Sequence, residues 1–396
     1  MNPLSAVHSF LQSSPAYFAS EEYFNSTRTD FAQNRALPTC YEWNSEKQTT
    51  IKKISSTFFY PLLSLHKAIH DKVGQAVFLP ASQLEFAELL DIDQKRKEFD
   101  IQDKYNKEKF RYKRFSIQVD GNVIDAALIG TEKTLSNGKW LLAANGNAQY
   151  YEEHLDLSNS DVKCILATTK ANAIVFNYAG VGLSEGIPNS EMMSKVYRAF
   201  LNFLEDENGL KAKQIIAYGH SIGGAVVANA MKDHLIQKTE NNERTTPTVV
   251  VISRAFSSVF VTAQNLLEKK DFKSRSMGYL MGCATQLVGW NMQTAKDLEN
   301  ANIPQIIIQT ANVSQLCQIT DKELIVHDGV ISEESSLAME LIKQPAISNI
   351  KRTFIGIQES HNLSLINNQL MDGYEPSADL DALGAIINKA LEEQSS

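Results

Sequence analysis

The five-residue segment Gly219-His-Ser-Ile-Gly223 constrains the fold more than any other feature of this chain. The apolar run Gln214–Tyr218 before it predicts a strand, and Ala225–Leu235 after it predicts a helix. A serine on a sharp strand-to-helix turn takes a strained backbone, and glycines two positions before and after it leave room for that turn. The segment therefore predicts an elbow that exposes the Ser221 hydroxyl, with the backbone N–H of Ile222 behind it at a helix N-terminus.

From residue 110 onward the sequence alternates between strand and helix patterns. Two alternating runs, Phe115–Val119 and Val123–Ile129, flank the turn signal Asp120-Gly-Asn122 and predict a hairpin. Later apolar runs of the kind buried on both faces of a parallel sheet are Trp140–Ala144, Ala173–Tyr178, Gln214–Tyr218, Thr248–Ser253, Gln305–Thr310 and Thr353–Gln358. The clearest helix pattern between them is Ser190–Leu204. This order predicts an α/β chain with a mostly parallel central sheet flanked by helices.

The first part of the chain has a different character. In 55–72 and 82–109 the apolar residues recur at helical spacing, and the second stretch ends in a charged run. We predict an N-terminal helical region over 1–109, appended to one main domain over 110–396.

Composition narrows the function classes. The net charge is −8 and no basic run interleaved with aromatics offers a surface for phosphates, so we expect no nucleic-acid partner. The four cysteines form no Cys-x-x-Cys pair, which favours free thiols in a reducing compartment. The N-terminus has neither a basic start nor a sustained apolar run, so we expect no cleaved secretory signal and a cytoplasmic protein.

Three blocks resemble the α/β-hydrolase superfamily, and within it the serine hydrolases related to the mammalian membrane-associated depalmitoylating enzymes. The segment Leu141–Ala148 is similar to their strand followed by His-Gly-Asn-Ala, although Asn145 stands where the family usually has histidine. The segment Asn177–Pro188 is similar to their Tyr-Ser-Gly-Tyr-Gly-x-Ser-x-Gly-x-Pro loop, and Gly219–Gly223 matches their elbow. The resemblance implies an α/β-hydrolase fold, with the first hundred or so residues unmatched.

A serine nucleophile needs a general base, which this fold supplies after its last strand. His361 follows the run Thr353–Gln358 by three residues and is the predicted base. The chain order of such enzymes places the acid between the strand Gln305–Thr310 and that histidine. Asp328 is the preferred candidate because its segment resembles the family's Asp-x-x-Val-Pro stretch, and Asp321 is the alternative. The acid would hold the histidine tautomer and stabilise the imidazolium.

Two backbone donors should form an oxyanion hole, one from the residue after the nucleophile and one from the loop after the third strand of the main domain. These are predicted to be Ile222 and Asn147, with Gly146 letting the backbone approach closely. The chemistry requires no cofactor and no metal. The pair His66 and His70 has a spacing that can bind zinc, but no third ligand is evident.

The expected reaction is hydrolysis of a carboxylic ester or thioester through an acyl-enzyme, as in a lipase, esterase or acyl-protein thioesterase. The alternative is a chiefly binding protein that uses the hydrolase core as a platform for a protein or membrane partner. An acyl ester, a lipid or an acylated protein would each fit as substrate, and peripheral contact with a membrane is compatible with all three. Two apolar stretches, Phe256–Leu267 and Met277–Trp290, are candidates for an acyl groove. The oligomeric state is left open.

Residue usage adds one further resemblance. The Asn-, Gln-, Lys- and Ile-rich composition and the polar tail Leu391–Ser396 are similar to hydrolases of the SidB-like group, which intracellular bacteria deliver into host cells. This resemblance implies a bacterial effector, secreted into a host cell without a cleaved signal peptide.

Overall fold

The computed structural model describes residues 40–41, 79, 102–103, 108–109, 111–155, 160–206, 209–266, 290–344, 350–365 and 378–395. The strands in these residues are β1 (Cys40–Tyr41), β2 (Gln102–Asp103), β3 (Glu108–Lys109), β4 (Arg111–Val119), β5 (Asn122–Gly130), β6 (Lys139–Ala144), β7 (Asn172–Phe176), β8 (Gln214–His220), β9 (Thr248–Ser253), β10 (Gln305–Thr310), β11 (Cys317–Gln318) and β12 (Arg352–Ile357). The α-helices are α1 (Glu132–Leu135), α2 (Asp161–Thr169), α3 (Ser190–Glu205), α4 (Ile222–Glu240), α5 (Val259–Leu266), α6 (Thr294–Glu299), α7 (Leu337–Lys343) and α8 (Ala378–Ser395).

Ten of these strands form one twisted sheet in the order β1-β4-β5-β7-β6-β8-β9-β10-β12-β11. The central strands β7, β6, β8, β9, β10 and β12 are parallel, while β5 runs antiparallel to both β4 and β7. The β4–β5 hairpin turns on Asp120 and Gly121, which have φ of 46° and 82°. Positive φ at both positions is the geometry that a two-residue hairpin loop prefers, and it explains why Asp-Gly stands there.

Helices cover both faces of the sheet. Alternate side chains of the central strands, such as Leu142 and Ala217, pack on one face in a core that also includes residues of α3, α4, α6 and α7. The intervening side chains, such as Leu141 and Ile216, pack on the other face with α2 and α8. A parallel sheet buried on both sides explains why its strands read as continuous apolar runs rather than alternating ones.

The predicted fold class is confirmed: a mostly parallel central sheet flanked by helices, as in the α/β-hydrolase fold. The strands predicted at Thr248–Ser253 and Gln305–Thr310 have the predicted bounds. The strand predicted to reach Tyr178 ends at Phe176 instead. Just beyond that end, the Asn177 side chain accepts a hydrogen bond from the backbone N–H of Tyr151 at 2.8 Å. No helix in the described ranges is long and apolar enough to cross a bilayer.

The N-terminal helical region predicted over 1–109 lies largely outside the described residues, and its boundary stays a prediction. The described pieces of it are strands and one buried side chain. Strand β1 pairs in parallel with the end of β4, so Cys40 and Tyr41 extend the main sheet. Leu79 is fully buried in the same core as α3 and α4. Strand β1 and Leu79 therefore pack on the main domain, while β2 and β3 pair with each other in a separate two-stranded sheet.

Candidate active site

The predicted catalytic residues meet at one edge of the sheet. Strands β8, β10 and β12 are parallel and end at His220, Thr310 and Ile357. Ser221 follows β8 directly, Asp328 lies in the connection after β10, and His361 lies in the loop after β12. Carboxyl ends of parallel strands share an edge, which is where ligands bind in open α/β sheets.

The elbow has the strained geometry that its sequence predicts. Ser221 has φ 54° and ψ −121°, a conformation that non-glycine residues rarely adopt, and its backbone N–H donates to the Ser253 carbonyl at 3.0 Å. A Cβ on Gly219 would lie 2.4 Å from the Gly223 carbonyl oxygen, and one on Gly223 would lie 2.2 Å from that of Ala144. Both glycines are therefore required by close backbone approach at the turn.

Ser221 is more enclosed than predicted. Its exposed fraction is 8%, so the expectation of an exposed serine is wrong in degree. Groups from two loops pack close to the neighbouring residue His220. The loop after β6 approaches the elbow closely at Gly146, whose Cβ would lie 3.3 Å from the His220 ring. On the other side, the rings of His220 and His361 are 4.9 Å apart between centroids.

His361 and Asp328 are hydrogen-bonded. The Nδ1 of His361 lies 2.8 Å from Oδ2 of Asp328, and both residues are buried, with exposed fractions of 4% and 1%. The other carboxylate oxygen, Oδ1, accepts the backbone N–H groups of Val330 at 2.9 Å and Ile331 at 2.7 Å. With Nδ1 engaged by the carboxylate, the Nε2 of His361 is the ring nitrogen left for proton transfer.

These contacts keep Asp328 ionised. Burial by itself raises the pKa of the Asp328 carboxyl, since desolvation penalises the charged form. The hydrogen bond to His361, its positive charge and the N–H groups of Ile331 and Val330 outweigh burial, and the pKa lies below its ordinary value. A buried carboxylate of this kind can orient the imidazole and stabilise the imidazolium.

Asp321, the alternative acid, lies elsewhere. It is exposed, and its Oδ1 accepts the backbone N–H of Glu323 at 2.9 Å, which caps the short 3₁₀ helix Lys322–Leu324. This contact explains the residue locally, as the start of a turn. Of the two predicted acids, the structure brings Asp328 to His361.

The long connection before Asp328 is folded back on itself. After β10 the chain runs out to β11, which pairs antiparallel with β12 at the sheet edge. It then returns, because Ala311 and Ile325 form a bridge and the Val326 N–H donates to the Thr310 carbonyl at 3.3 Å. Asp328 is 18 residues beyond the end of β10 in sequence. The bridge nevertheless returns the segment just before Asp328 to the end of that strand.

The two predicted oxyanion donors lie on adjacent elements. Ile222 is the first residue of α4, where backbone N–H groups lack partners within the helix. Asn147 is exposed in the turn after β6, a strand that pairs with β8 so that Ala144 stands opposite Gly219. The N–H of Gly146 is engaged within the loop, donating to Oε1 of Gln149 at 2.8 Å. The role of Asn147 stays a prediction.

Asn145 holds this loop in place. Its amide nitrogen donates to the Phe176 carbonyl at 3.0 Å, and its Oδ1 accepts from Nε2 of His154 at 2.9 Å. Burial lowers the pKa of His154 to about 4, although nearby Asp161 raises it, so this imidazole is neutral at physiological pH. The hydroxyl of Tyr178 also donates to the Asn145 carbonyl at 2.9 Å. Asn145, where the family usually has histidine, thus forms hydrogen bonds that hold the loop after β6.

The predicted acyl groove is described only in part. Phe256–Leu267 contains α5, and four residues of this stretch line a cavity of about 500 Å³: Ser257, Ser258, Phe260 and Val261. Ser221 and His361 are not among the described residues that line it. Of Met277–Trp290, all but the buried Trp290 lies outside the described residues. The groove stays a prediction.

The sequence reasoning missed a buried ion pair at the same edge. Arg254, directly after β9, has an exposed fraction of 0% and donates from Nη2 to Oδ2 of Asp161 at 3.1 Å. An arginine following an apolar strand run was the available signal, but its partner is 93 residues away in the sequence. Among the described residues, no group of three His, Cys, Asp or Glu side chains could hold a metal ion.

Comparison with known proteins identifies the family to which this chain belongs. Residues 8–374 match the family model described as "Chlamydia CHLPS protein (DUF818)". A stretch of 73 residues is 32% identical to the α/β hydrolase domain-containing protein WAV2 of Arabidopsis thaliana. That stretch is 18% of this chain and 24% of the plant protein, so the chain spans about a quarter of that relative's length.

Two solved structures are similar to this chain at low identity. An α/β hydrolase from Vibrio vulnificus is 17% identical with a TM-score of 0.47, over 69% of this chain and 81% of the other. The esterase Pf2001 of Pyrococcus furiosus is 13% identical with a TM-score of 0.45, over 72% of this chain and 91% of the other.

Proposed function

We propose that this chain, which belongs to the Chlamydia CHLPS protein (DUF818) family, is a serine hydrolase that cleaves carboxylic ester or thioester bonds. One observation carries the proposal: the His361 imidazole bonds to buried Asp328 through Nδ1 and lies beside the elbow that holds Ser221 in a strained turn. The name of the Arabidopsis thaliana relative, an α/β hydrolase domain-containing protein, agrees with it.

The reaction follows from these positions. Asp328 fixes the proton of His361 on Nδ1, so Nε2 can accept the Ser221 proton as the hydroxyl oxygen attacks the substrate carbonyl. The resulting tetrahedral intermediate collapses, the imidazolium protonates the departing alcohol or thiol, and an acyl-enzyme remains. Water then attacks that ester with the same base, which releases the carboxylic acid and regenerates the serine.

The developing oxyanion would be stabilised from two sides. The N–H of Ile222 points from the first turn of α4, where the helix dipole also favours negative charge. Asn147, in the loop after β6, is the second proposed donor. Gly223 lets α4 begin against that loop, because any side chain there would collide with the Ala144 carbonyl.

His220 fits this role by remaining uncharged. Burial, followed by the positive charges of Arg254 and His361, lowers its pKa well below the ordinary value. His220, within the elbow, therefore adds no positive charge beside the His361 ring. The alternative, a non-catalytic binding platform, predicts that the function of the protein does not depend on the Ser221 hydroxyl or the His361 imidazole.

A serine-directed probe tests the proposal. The purified full chain is treated with a fluorophosphonate and assayed with p-nitrophenyl butyrate, alongside Ser221→Ala, His361→Ala and the control Ser116→Ala. Ser116 is a buried serine on β4, and three strands separate β4 from β8 in the sheet. We expect Ser221→Ala to abolish labelling and lower kcat on the order of 10³-fold or more, while Ser116→Ala keeps both. An unlabelled, inactive wild-type chain would support the binding role, and activity retained by Ser221→Ala would place the nucleophile elsewhere.

A further inference from the structure

A buried arginine holds the loop that carries His361. The Nη1 of Arg254 donates to the carbonyls of Ser360 and Leu363, both at 2.6 Å. These carbonyls lie one residue before and two residues after His361. The guanidinium therefore grips the loop on both sides of the proposed base.

Asp161, the ion-pair partner of Arg254, forms a third hydrogen bond to the same loop. Asp161, the first residue of α2, accepts the Arg254 Nη2–H at 3.1 Å on Oδ2. Its Oδ1 accepts the backbone N–H of Leu365 at 2.7 Å. Together the two side chains fix the start, the middle and the end of the segment 360–365.

The same pair is tied to the nucleophile strand. The hydroxyl of Tyr218, three residues before Ser221 on β8, donates to Oδ2 of Asp161. The Ser253 carbonyl, one residue before Arg254, accepts the N–H of Ser221 at 3.0 Å. One hydrogen-bonded unit thus links the backbone beside Ser221 to the loop that presents His361.

The local geometry matches this task. Arg254 has φ 48°, a left-handed conformation that is uncommon for residues other than glycine. The turn directs the side chain inward, where Nε also donates to Oγ of Ser253 at 3.1 Å. A planar guanidinium can address several acceptors in fixed directions, which a lysine ammonium cannot reproduce. Strain of this kind clusters at functional sites.

Resting on the proposed function, we infer that Arg254, paired with Asp161, is a positioning residue that sets the His361 imidazole relative to Ser221. Asp328 orients the ring from its Nδ1 side, and Arg254 fixes the backbone from which the ring projects. The pair acts through His361, so its loss should lower kcat and leave KM nearly unchanged. Proton transfer depends on the position of the His361 imidazole relative to Ser221, while ground-state substrate binding does not depend on that position.

The experiment compares variants of the full chain with a matched control. Removing Arg254 alone would leave Asp161 buried without its partner, so the main variant is Arg254→Met/Asp161→Asn, which removes both charges. Arg254→Lys keeps the positive charge but lacks the planar guanidinium and its several N–H donors. The control is Arg198→Met on α3, whose guanidinium lies 3.8 Å from Asp233 in a partly buried pair between α3 and α4.

Two readouts are measured on folded protein, as judged by near-ultraviolet circular dichroism. The first is kcat and KM for p-nitrophenyl butyrate. The double variant should lose roughly 10²-fold in kcat with KM within about twofold of wild type, Arg254→Lys should fall between the two, and Arg198→Met should match wild type. The second is the low-field proton resonance of the His361 Nδ1–H, identified by its loss in Asp328→Asn. It should shift or broaden in the double variant and in Arg254→Lys, and stay in place in Arg198→Met.

The two proposals fail separately. If the folded double variant keeps wild-type kcat and an unchanged resonance while Ser221→Ala is inactive, the positioning role is wrong and the hydrolase stands. If the wild type shows no Ser221-dependent turnover, the hydrolase is wrong, and an unchanged resonance would overturn the positioning role as well. Should the double variant not fold, Arg254→Lys decides the question by the same two readouts.

Discussion

Asp328 and His361 are joined twice, once through their side chains at 2.8 Å and once through the His361 N–H, which donates to the Asp328 carbonyl at 2.7 Å. The backbone bond fixes the distance between the two loops, and the side-chain bond then fixes the rotation of the ring. This arrangement keeps Nε2 of His361 free on the side away from the carboxylate.

The first prediction separates the two candidate acids. Asp328→Asn should lower kcat on the order of 10³- to 10⁴-fold, because an amide can donate to Nδ1 and select the wrong imidazole tautomer. Asp321→Asn, the matched control, should leave kcat unchanged, since that side chain only caps an exposed 3₁₀ helix. Steady-state kinetics on p-nitrophenyl butyrate measures both. Equal and small effects would move the acid to another residue between Thr310 and His361.

The second prediction concerns the elbow. In Gly223→Ala the new Cβ would lie 2.2 Å from the Ala144 carbonyl oxygen and 2.7 Å from that of Asn145, so the helix or the loop after β6 must move. We expect a loss of about 3 kcal/mol or more in unfolding free energy, together with loss of activity. Urea denaturation measures the first and ester hydrolysis the second.

Gly121→Ala is the control for that experiment. Gly121 lies in the β4–β5 turn with φ of 82°, and a Cβ added there would have no neighbouring atom within 4 Å. It should lose only about 1 kcal/mol from backbone strain, with activity retained. A loss of stability in Gly223→Ala no larger than the small loss expected for Gly121→Ala would show that the elbow has room for a side chain.

The third prediction concerns substrate preference. If Phe256–Leu267 and Met277–Trp290 line an acyl groove, kcat/KM should be higher for octanoyl than for butyryl esters or thioesters. Each buried CH₂ is worth about 0.8 kcal/mol, so roughly four methylenes could raise kcat/KM about a hundredfold after allowing for incomplete burial. The assay is run below the micelle concentration of each substrate. A steady decline from acetyl upward would reject the groove and indicate a closed site for small esters.

The fourth prediction concerns acid stability. Glu205, at the end of α3, has an 8% exposed side chain whose Oε2 lies 3.0 Å from Nε2 of His234 and 3.1 Å from Nζ of Lys238. Burial raises the pKa of Glu205, but these two partners outweigh it and lower the value from 4.5 to about 2. A depressed folded-state pKa gives stability that is present above the unfolded pKa of 4.5 and lost as the pH falls towards 2.

Denaturation as a function of pH checks this contribution. The unfolding free energy of the wild type should exceed that of Glu205→Gln by on the order of 3 kcal/mol above pH 5. This difference should shrink as the pH falls from 4.5 to 2. Glu240→Gln on α4 is the control, since Glu240 is exposed and its removal should not change the slope. A difference that does not vary with pH would mean that the Glu205 charge is not the stabilising feature.

Local pattern determined much of this protein. The strain of the elbow, the need for Gly219 and Gly223, the parallel strands and the identities of Ser221 and His361 as candidates all follow from short stretches of sequence. Each of these features depends on neighbours within a few residues, or on burial of both sheet faces, and both leave a direct trace in residue type and spacing.

Only the tertiary structure decided which distant groups meet. Asp328 and Asp321 are alternatives in sequence, and the bridge between Ala311 and Ile325 returns the chain so that Asp328 contacts His361. The pairing of Arg254 with Asp161, and its hold on the loop of His361, depends on three sheet connections folding to one edge. The physical reason is that a buried charge must find a partner, while the sequence carries no record of which distant residue the folded chain places within reach.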